Sequence, residues 1–458
     1  MSTETSALAL AKPARVTSIE FWRIAFTLLV MWYHMEFMAA ASGQTIFGQT
    51  VFTSGSSAVE FFFILAGFTL AMSAYRRAGK LDAPMTTKQA HGYAVDFVHK
   101  KVKAILPVML IIVVVWAFFI AAPSVGFGAP TQPNNFLFKL KSLLNSEWEL
   151  LFMVGTPFGG IGDGQMIFAT NVSLWFLTAL IIVGYFYTFL INRFPQGIRW
   201  LAPLIGVIGY TFFALTVMKN STAGMFGGMA SYNPLDFGSL VGVSTSGMVK
   251  AFAEMSFGVS MYLIYEKVSK KSFSRLWCVV LSIVELYAIY RFFALTIGQP
   301  TGFDNTRRLL YIMLIILLSF MNVTALSRFL NWKPLGKIWT KIGHISLAMY
   351  ISHVYLVPVY TKFITSLKTK YPTAGTFMYK IVHDMCGGGK TKTVVGMFGT
   401  STVNVLGWKD MVGFGLFVGI FAALVFLFIK LWTRFVYRPF LVIYHHSALS
   451  KPLISPSK

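Results

Sequence analysis

Apolar runs of 18 or more residues recur along the whole chain, and nothing else in it limits the fold as strongly. The most complete run, residues 411–436, reads MVGFGLFVGIFAALVFLFIKLWTRFV. At about 1.5 Å per residue, roughly 20 such residues cross a hydrocarbon layer about 30 Å thick, and a helix satisfies its own backbone there. Ten segments follow the pattern, at about 18–40, 52–75, 102–122, 172–192, 200–218, 245–265, 276–297, 309–327, 342–363 and 411–436. The expected fold is an all-α polytopic membrane protein of about ten transmembrane helices. Residues 1–440 then form a single integral-membrane domain, and 441–458 a short cytoplasmic tail.

Charge orients the segments. The chain carries 39 Lys and Arg against 16 Asp and Glu, a formal net charge of +23. In a soluble chain such an excess suggests nucleic acid. In a membrane protein it collects in cytoplasmic loops, and no arginine-rich helix or basic patch with interleaved aromatics points to nucleic acid here. Arg76, Arg77, Lys80, Lys88, Lys100, Lys101 and Lys103 follow the second segment. Lys267, Lys270, Lys271 and Arg275 follow the sixth, and Arg328, Lys333, Lys337 and Lys341 the eighth. With the N-terminus inside, all of these fall in the cytoplasm, and so does the C-terminus. Lysines in the loop at 364–410 run against this, but long loops obey the charge rule poorly.

Three other signals point elsewhere and are set aside. Lys12 and Arg15 precede an apolar stretch ending in MAAASG, as in a signal peptide. An h-region does not carry Arg23, nor His34 and Glu36 at its end, so a retained helix is expected. GGGKTK in the last long loop lacks the spacing and the preceding strand of a phosphate loop. The two cysteines, Cys278 in an apolar run and Cys386 in a loop, form no metal-ligating cluster, so neither a disulfide nor a metal is expected.

The first segment, EFWRIAFTLLVMWYH at 20–34, places charge where charge is costly. Arg23 and His34 are eleven residues apart, about three turns plus 20°, so they share a face roughly 16 Å long. Glu20 stands one turn from Arg23. Such a stripe faces a bundle interior, because exposure to lipid costs several kcal/mol. Structurally, Glu20 and Arg23 form an ion pair and His34 an inter-helix hydrogen bond. Functionally, His34 exchanges a proton near neutral pH. In the second segment, SSAVEFFFILAGF, Glu60 is expected at the depth of His34, where it would orient the imidazole. Gly67 would let neighbouring helices approach closely. Ser346, Tyr350 and His353 lie on one face of the ninth segment, as packing hydrogen bonds or as a second part of the site. Trp175 is read as an aromatic-belt residue, with stacking on a sugar as the alternative.

Together, E-x-x-R with a His eleven residues after the Arg, VEFFFILAGF, VHKKVKAILP, SLWFLTAL and GHISLAMYISHVYLVP resemble the membrane acyltransferase-3 family of bacterial sugar O-acyltransferases. The resemblance covers most of the chain. Glu20 stands where that family often has Asp, Ala66 where it has Ser, and Lys100, Lys101, Lys103 and Ala104 where it has two arginines. The resemblance implies an enzyme in the bacterial inner membrane. An acyl group, in the first instance acetyl, passes from cytoplasmic acyl-CoA to a hydroxyl of a cell-surface or exported glycan. His34 would be the general base or a transient acyl carrier, with Glu60 orienting it. Arg23 would contact CoA or polarise the thioester carbonyl. Glu20, Arg76, Arg77, Lys100, Lys101, Lys103, Trp175, Tyr350 and His353 complete the implied binding set. Positive-inside charge and contact with anionic lipid explain the basic residues equally well. Acyl-CoA acts as donor substrate, with no bound cofactor. Two other readings stay open: a transporter or flippase of a lipid-linked sugar, for which no inverted repeat is found, and a catalytically silent membrane relative.

Overall fold

The computed structural model describes residues 16–41, 45–46, 58–78, 85–115, 175–213, 243–296, 302–370, 391–396, 399–406 and 408–437. These form eleven α-helices among the described residues: α1 (Thr17–Ala41), α2 (Ala58–Ala78), α3 (Thr87–Val115), α4 (Trp175–Arg193), α5 (Pro195–Phe213), α6 (Val243–Val268), α7 (Arg275–Thr296), α8 (Gly302–Met321), α9 (Ala325–Leu330), α10 (Lys333–Lys370) and α11 (Trp408–Trp432). Ten of them overlap the ten apolar segments, and α9 is a short addition. The stretches 123–171 and 441–458, as well as Cys386, lie outside the described residues. Four described helices are long and apolar enough to cross a membrane, within Ala58–Arg77, Phe176–Arg193, Arg275–Thr296 and Met411–Phe435.

One feature departs from an all-α fold. β1 (Thr45–Ile46), β2 (Thr391–Gly396) and β3 (Gly399–Leu406) make a small sheet in the order β1-β3-β2. β2 and β3 pair antiparallel, and β1 adds parallel to β3 with Thr45 opposite Val405. The sheet ties the segment after α1 to the segment before α11, two stretches that the charge pattern puts on the same side.

Helix boundaries follow local chemistry. Pro195 opens α5 one residue after α4 ends, at the position where its missing N–H costs nothing. Asn322, with φ 55°, stops α8 in the left-handed region that asparagine tolerates. Thr324 then caps α9 by accepting the Ser327 N–H. Asn331, closing α9, reaches across to α1: its Oδ1 accepts from the Ser18 N–H at 2.8 Å and from Thr17 Oγ1 at 2.9 Å. An orphan donor at the start of α1 is thereby satisfied, and that end of α1 is fixed beside α10.

The helices alternate in direction as a serpentine bundle does. α1 and α10 run parallel, with contacts from Thr17 with Gly336 at one end to His34 with His353 at the other. α2 and α6 also run parallel. α3 lies antiparallel to α4, through Thr87–Arg193 and Phe97–Gly184, and α11 lies antiparallel to α1, through Trp32–Met411 and Leu28–Gly415. Small residues set the closest crossings, because helices in lipid associate by packing and short approach. A Cβ on Gly67 or Gly258 would strike backbone of the facing helix, so α2 and α6 touch backbone to backbone there. Gly67 thus has the close-packing role expected of it, against α6. A Cβ on Gly343 of α10 would strike the Glu20 carboxylate, so α10 needs that glycine to leave the acid its place.

Candidate active site

The polar stripe of α1 meets α10 along its length. At one end, buried Glu20 holds Arg23 in an ion pair, Oε2 to Nη1 at 3.0 Å. Arg23 Nη2 donates to Ser346 Oγ at 3.4 Å, and Ser346 Oγ donates to the Gly343 carbonyl at 2.8 Å. The Arg23 side chain is still 33% exposed, so its guanidinium is anchored on one edge and open on another. Lys101 of α3 lies within electrostatic reach of it.

At the other end of the stripe, two histidines meet. His353 Nε2 lies 3.0 Å from His34 Nδ1, with ring centres 4.9 Å apart. His353 is fully buried, whereas His34 keeps partial exposure. His34 Nδ1 also lies 3.0 Å from the Val30 carbonyl, and His353 Nδ1 lies 2.6 Å from the Tyr350 carbonyl. Carbonyls only accept, so both Nδ1 atoms carry hydrogen. One proton placement then keeps both rings neutral: His34 Nδ1–H donates to His353 Nε2, and His353 Nδ1–H donates to Tyr350. It leaves the lone pair of His34 on Nε2. Aromatic rings pack below the pair: Tyr350 stands 5.6 Å from Phe176 and 6.2 Å from Phe62.

An anchored but part-exposed arginine and a histidine on one helix face, about three turns apart, are among the features that carried the sequence resemblance. A protein-family model described as an acyltransferase domain, that of the acyltransferase-3 family, matches residues 16–382. The chain belongs to the acyltransferase-3 family. Comparison with curated proteins found no match, and neither did comparison with solved structures. The match takes in α1 through α10 and therefore every residue of the stripe. It makes the chain an acyltransferase-family membrane protein.

Within this acyltransferase-3 domain, the structure corrects one expected contact. Glu60 does not orient His34; its Oε1 accepts from Lys250 Nζ of α6 at 3.1 Å. Depth explains the difference. Phe61, the residue after Glu60, stacks on Phe26 of α1 with ring centres 4.1 Å apart. His34 lies eight residues beyond Phe26, about 12 Å further along α1. Glu60, next to Phe61, therefore lies near the level of Phe26 and well short of the histidines. The Val30 carbonyl fixes the His34 tautomer, and the side chain that receives its Nδ1–H on another helix is His353, 319 positions away in sequence.

The basic residues also separate. Lys100 pairs with Asp96 at 2.6 Å on the exposed face of α3, and Lys103 is exposed. Lys101 is partly buried, lies over the Phe97 ring and is within electrostatic reach of Arg23. Arg77 bonds Ser73 and lies 4.9 Å from the Tyr93 ring centre, and Arg76 is exposed. Neither joins the stripe. Trp175 opens α4, and its side chain lies outside the described residues. Among the described residues no cluster of three or more His, Cys, Asp or Glu offers a metal site. The sequence reading missed Lys250 as the partner of Glu60. A Lys and a Glu one turn apart, Lys250 and Glu254, in an otherwise apolar segment were the available signal.

Proposed function

We propose that this acyltransferase-3 protein is an O-acyltransferase that carries an acyl group, in the first instance acetyl, from acyl-CoA in the cytoplasm to a glycan hydroxyl outside. The observation that carries the reading is the His34–His353 pair at one end of a stripe whose other end holds an anchored but accessible arginine. The two ends lie eleven residues apart on α1, about 16 Å, so each can serve a substrate arriving from its own side of the membrane. Arg23, with Lys101 beside it, offers positive charge and guanidinium N–H groups to the anionic donor. Glu20 and Ser346 keep the guanidinium aimed while open donors remain.

A sugar hydroxyl is a weak nucleophile and needs a base within hydrogen-bond reach. His34 Nε2 supplies it. The hydroxyl oxygen attacks the thioester carbonyl, its proton passes to His34 Nε2, the C–O bond forms and the C–S bond breaks. The thiolate leaves and takes up a proton. As His34 becomes cationic, His353 Nε2 and the Val30 carbonyl accept from its Nδ1–H, which holds the ring in position and stabilises the charge. His353 is a positioning residue in this scheme, and Glu60 has no part in it. Ten alternating spans in a bacterial inner membrane, both termini cytoplasmic, place the arginine end inside. The parallel run of α1 with α10 and of α2 with α6 supports that alternation.

Mass spectrometry of surface glycans from cells with the gene, without it, and with His34→Ala tests the reading. The expected result is one acyl mass increment present only with the intact chain. Identical glycans in all three would overturn it.

A further inference from the structure

The stripe of α1 leaves unused a cluster of buried ionisable side chains on α2 and α6. Lys250 Nζ on α6 lies 3.1 Å from Glu60 Oε1 on α2, and 3.6 Å from Glu254 Oε1 one turn along its own helix. The three side chains are 4%, 4% and 0% exposed for Lys250, Glu60 and Glu254. Among the described residues, Lys250 is the one cation within ion-pair distance of either carboxylate. Two acids therefore share one ammonium.

They share it unequally. The Glu60 contact is a hydrogen bond; the Glu254 contact is beyond hydrogen-bond length. Among the described residues, no donor lies within hydrogen-bond distance of either oxygen of Glu254. The surrounding helices add little to redress this. α5 contributes Tyr210, which both carboxylates and Arg308 of α8 influence electrostatically. Arg308 donates to the Leu295 carbonyl at 3.3 Å and makes no ion pair with either acid. α4 contributes Tyr187, hydrogen-bonded to Ser256 and not to a carboxylate. An ionised carboxylate without hydrogen bonds in a dry interior is so costly that the group takes up a proton instead.

We propose that Glu254 is an intramembrane proton-binding site, neutral while Lys250 is paired with Glu60. The two distances fit this assignment, since the ammonium lies nearer Glu60 than Glu254. On loss of the proton, Glu254 competes for Lys250 and the contact between α2 and α6 is redistributed. The site stands apart from the acyl-transfer reading and holds whether or not that reading does.

Infrared spectroscopy of the full-length protein in lipid vesicles tests it. The wild-type minus Glu254→Gln difference spectrum should contain the carbonyl stretch of one protonated carboxylic acid. Lys250→Met, which strands both acids, should double that band. Thermal melting gives a second readout. Glu254→Gln exchanges one neutral group for another of the same shape, so its melting temperature should stay close to wild type. Glu60→Gln removes the charge that holds Lys250 and should melt clearly lower. A difference spectrum that loses only ionised carboxylate would overturn the proposal. So would a Glu254→Gln protein that fails to accumulate or melts lower than Glu60→Gln.

Discussion

Two seams in this bundle are built alike and behave differently. α1 meets α10, and α2 meets α6; both pairs run parallel, both need glycine at a tight crossing, and both bury polar side chains. Along α2 and α6 the polar groups are sealed, with Lys250, Glu60 and Glu254 almost wholly out of contact with the surface. Along α1 and α10 the groups are held on one edge and open on another: Arg23 is one-third exposed and His34 partly so. Buried charge marks a place where something is held. Chemistry on a substrate needs an atom left over, and the histidine seam has one in His34 Nε2.

The sharpest way to break this contrast is His34→Ala. Loss of a general base costs about 10²–10⁴-fold in rate, with the protein still accumulating in the membrane; near-normal acyl transfer by the purified variant would move the chemistry elsewhere. Next comes Glu60→Gln. Breaking a buried pair costs about 3–5 kcal/mol, so thermal unfolding should shift well down while turnover per folded molecule holds. A variant of normal stability and low turnover would restore Glu60 to the active site. His353→Ala should lose less activity than His34→Ala, and His353→Gln should recover part of it. The Gln amide can accept from His34 and donate to Tyr350, so kinetics of the three variants read positioning directly. Lys101→Ala should raise the KM for acyl-CoA several-fold with kcat little changed. The smallest effect is expected from Lys100→Ala, whose exposed pair with Asp96 is worth about 0–1 kcal/mol; its KM and melting should stay near wild type.

The segments and their order were legible because apolar length is a one-dimensional signal. The arginine–histidine stripe was legible because helical periodicity fixes a face within a single element. Partners on other helices were not. Glu60 was matched to His34 by assuming equal depths below two helix ends, whereas the Phe26–Phe61 stack and the Lys250 bond set the register of α2 differently. Choosing among Lys100, Lys101 and Lys103 needed the rotation of α3 about its axis, which no composition rule supplies. Ser346, Tyr350 and His353 were correctly placed on one face. That the face turns to α1, with Ser346 on Arg23 and His353 on His34, depends on the Asn331 clamp and on Gly343, long-range contacts with no local sequence signature. The small sheet was missed because its strands lie in segments read only as loops.

The spacing of the histidine pair also sets a clock. At roughly 5–20 residues per second of synthesis, the 319 positions between His34 and His353 take tens of seconds to make. For all that time α1 is in the growing chain with its arginine and histidine lacking their α10 partners. α1 is made long before it is completed, and a chain stopped before α10 has no histidine pair at all. Any factor that shelters this protein during its insertion has most to do at α1, and for longest.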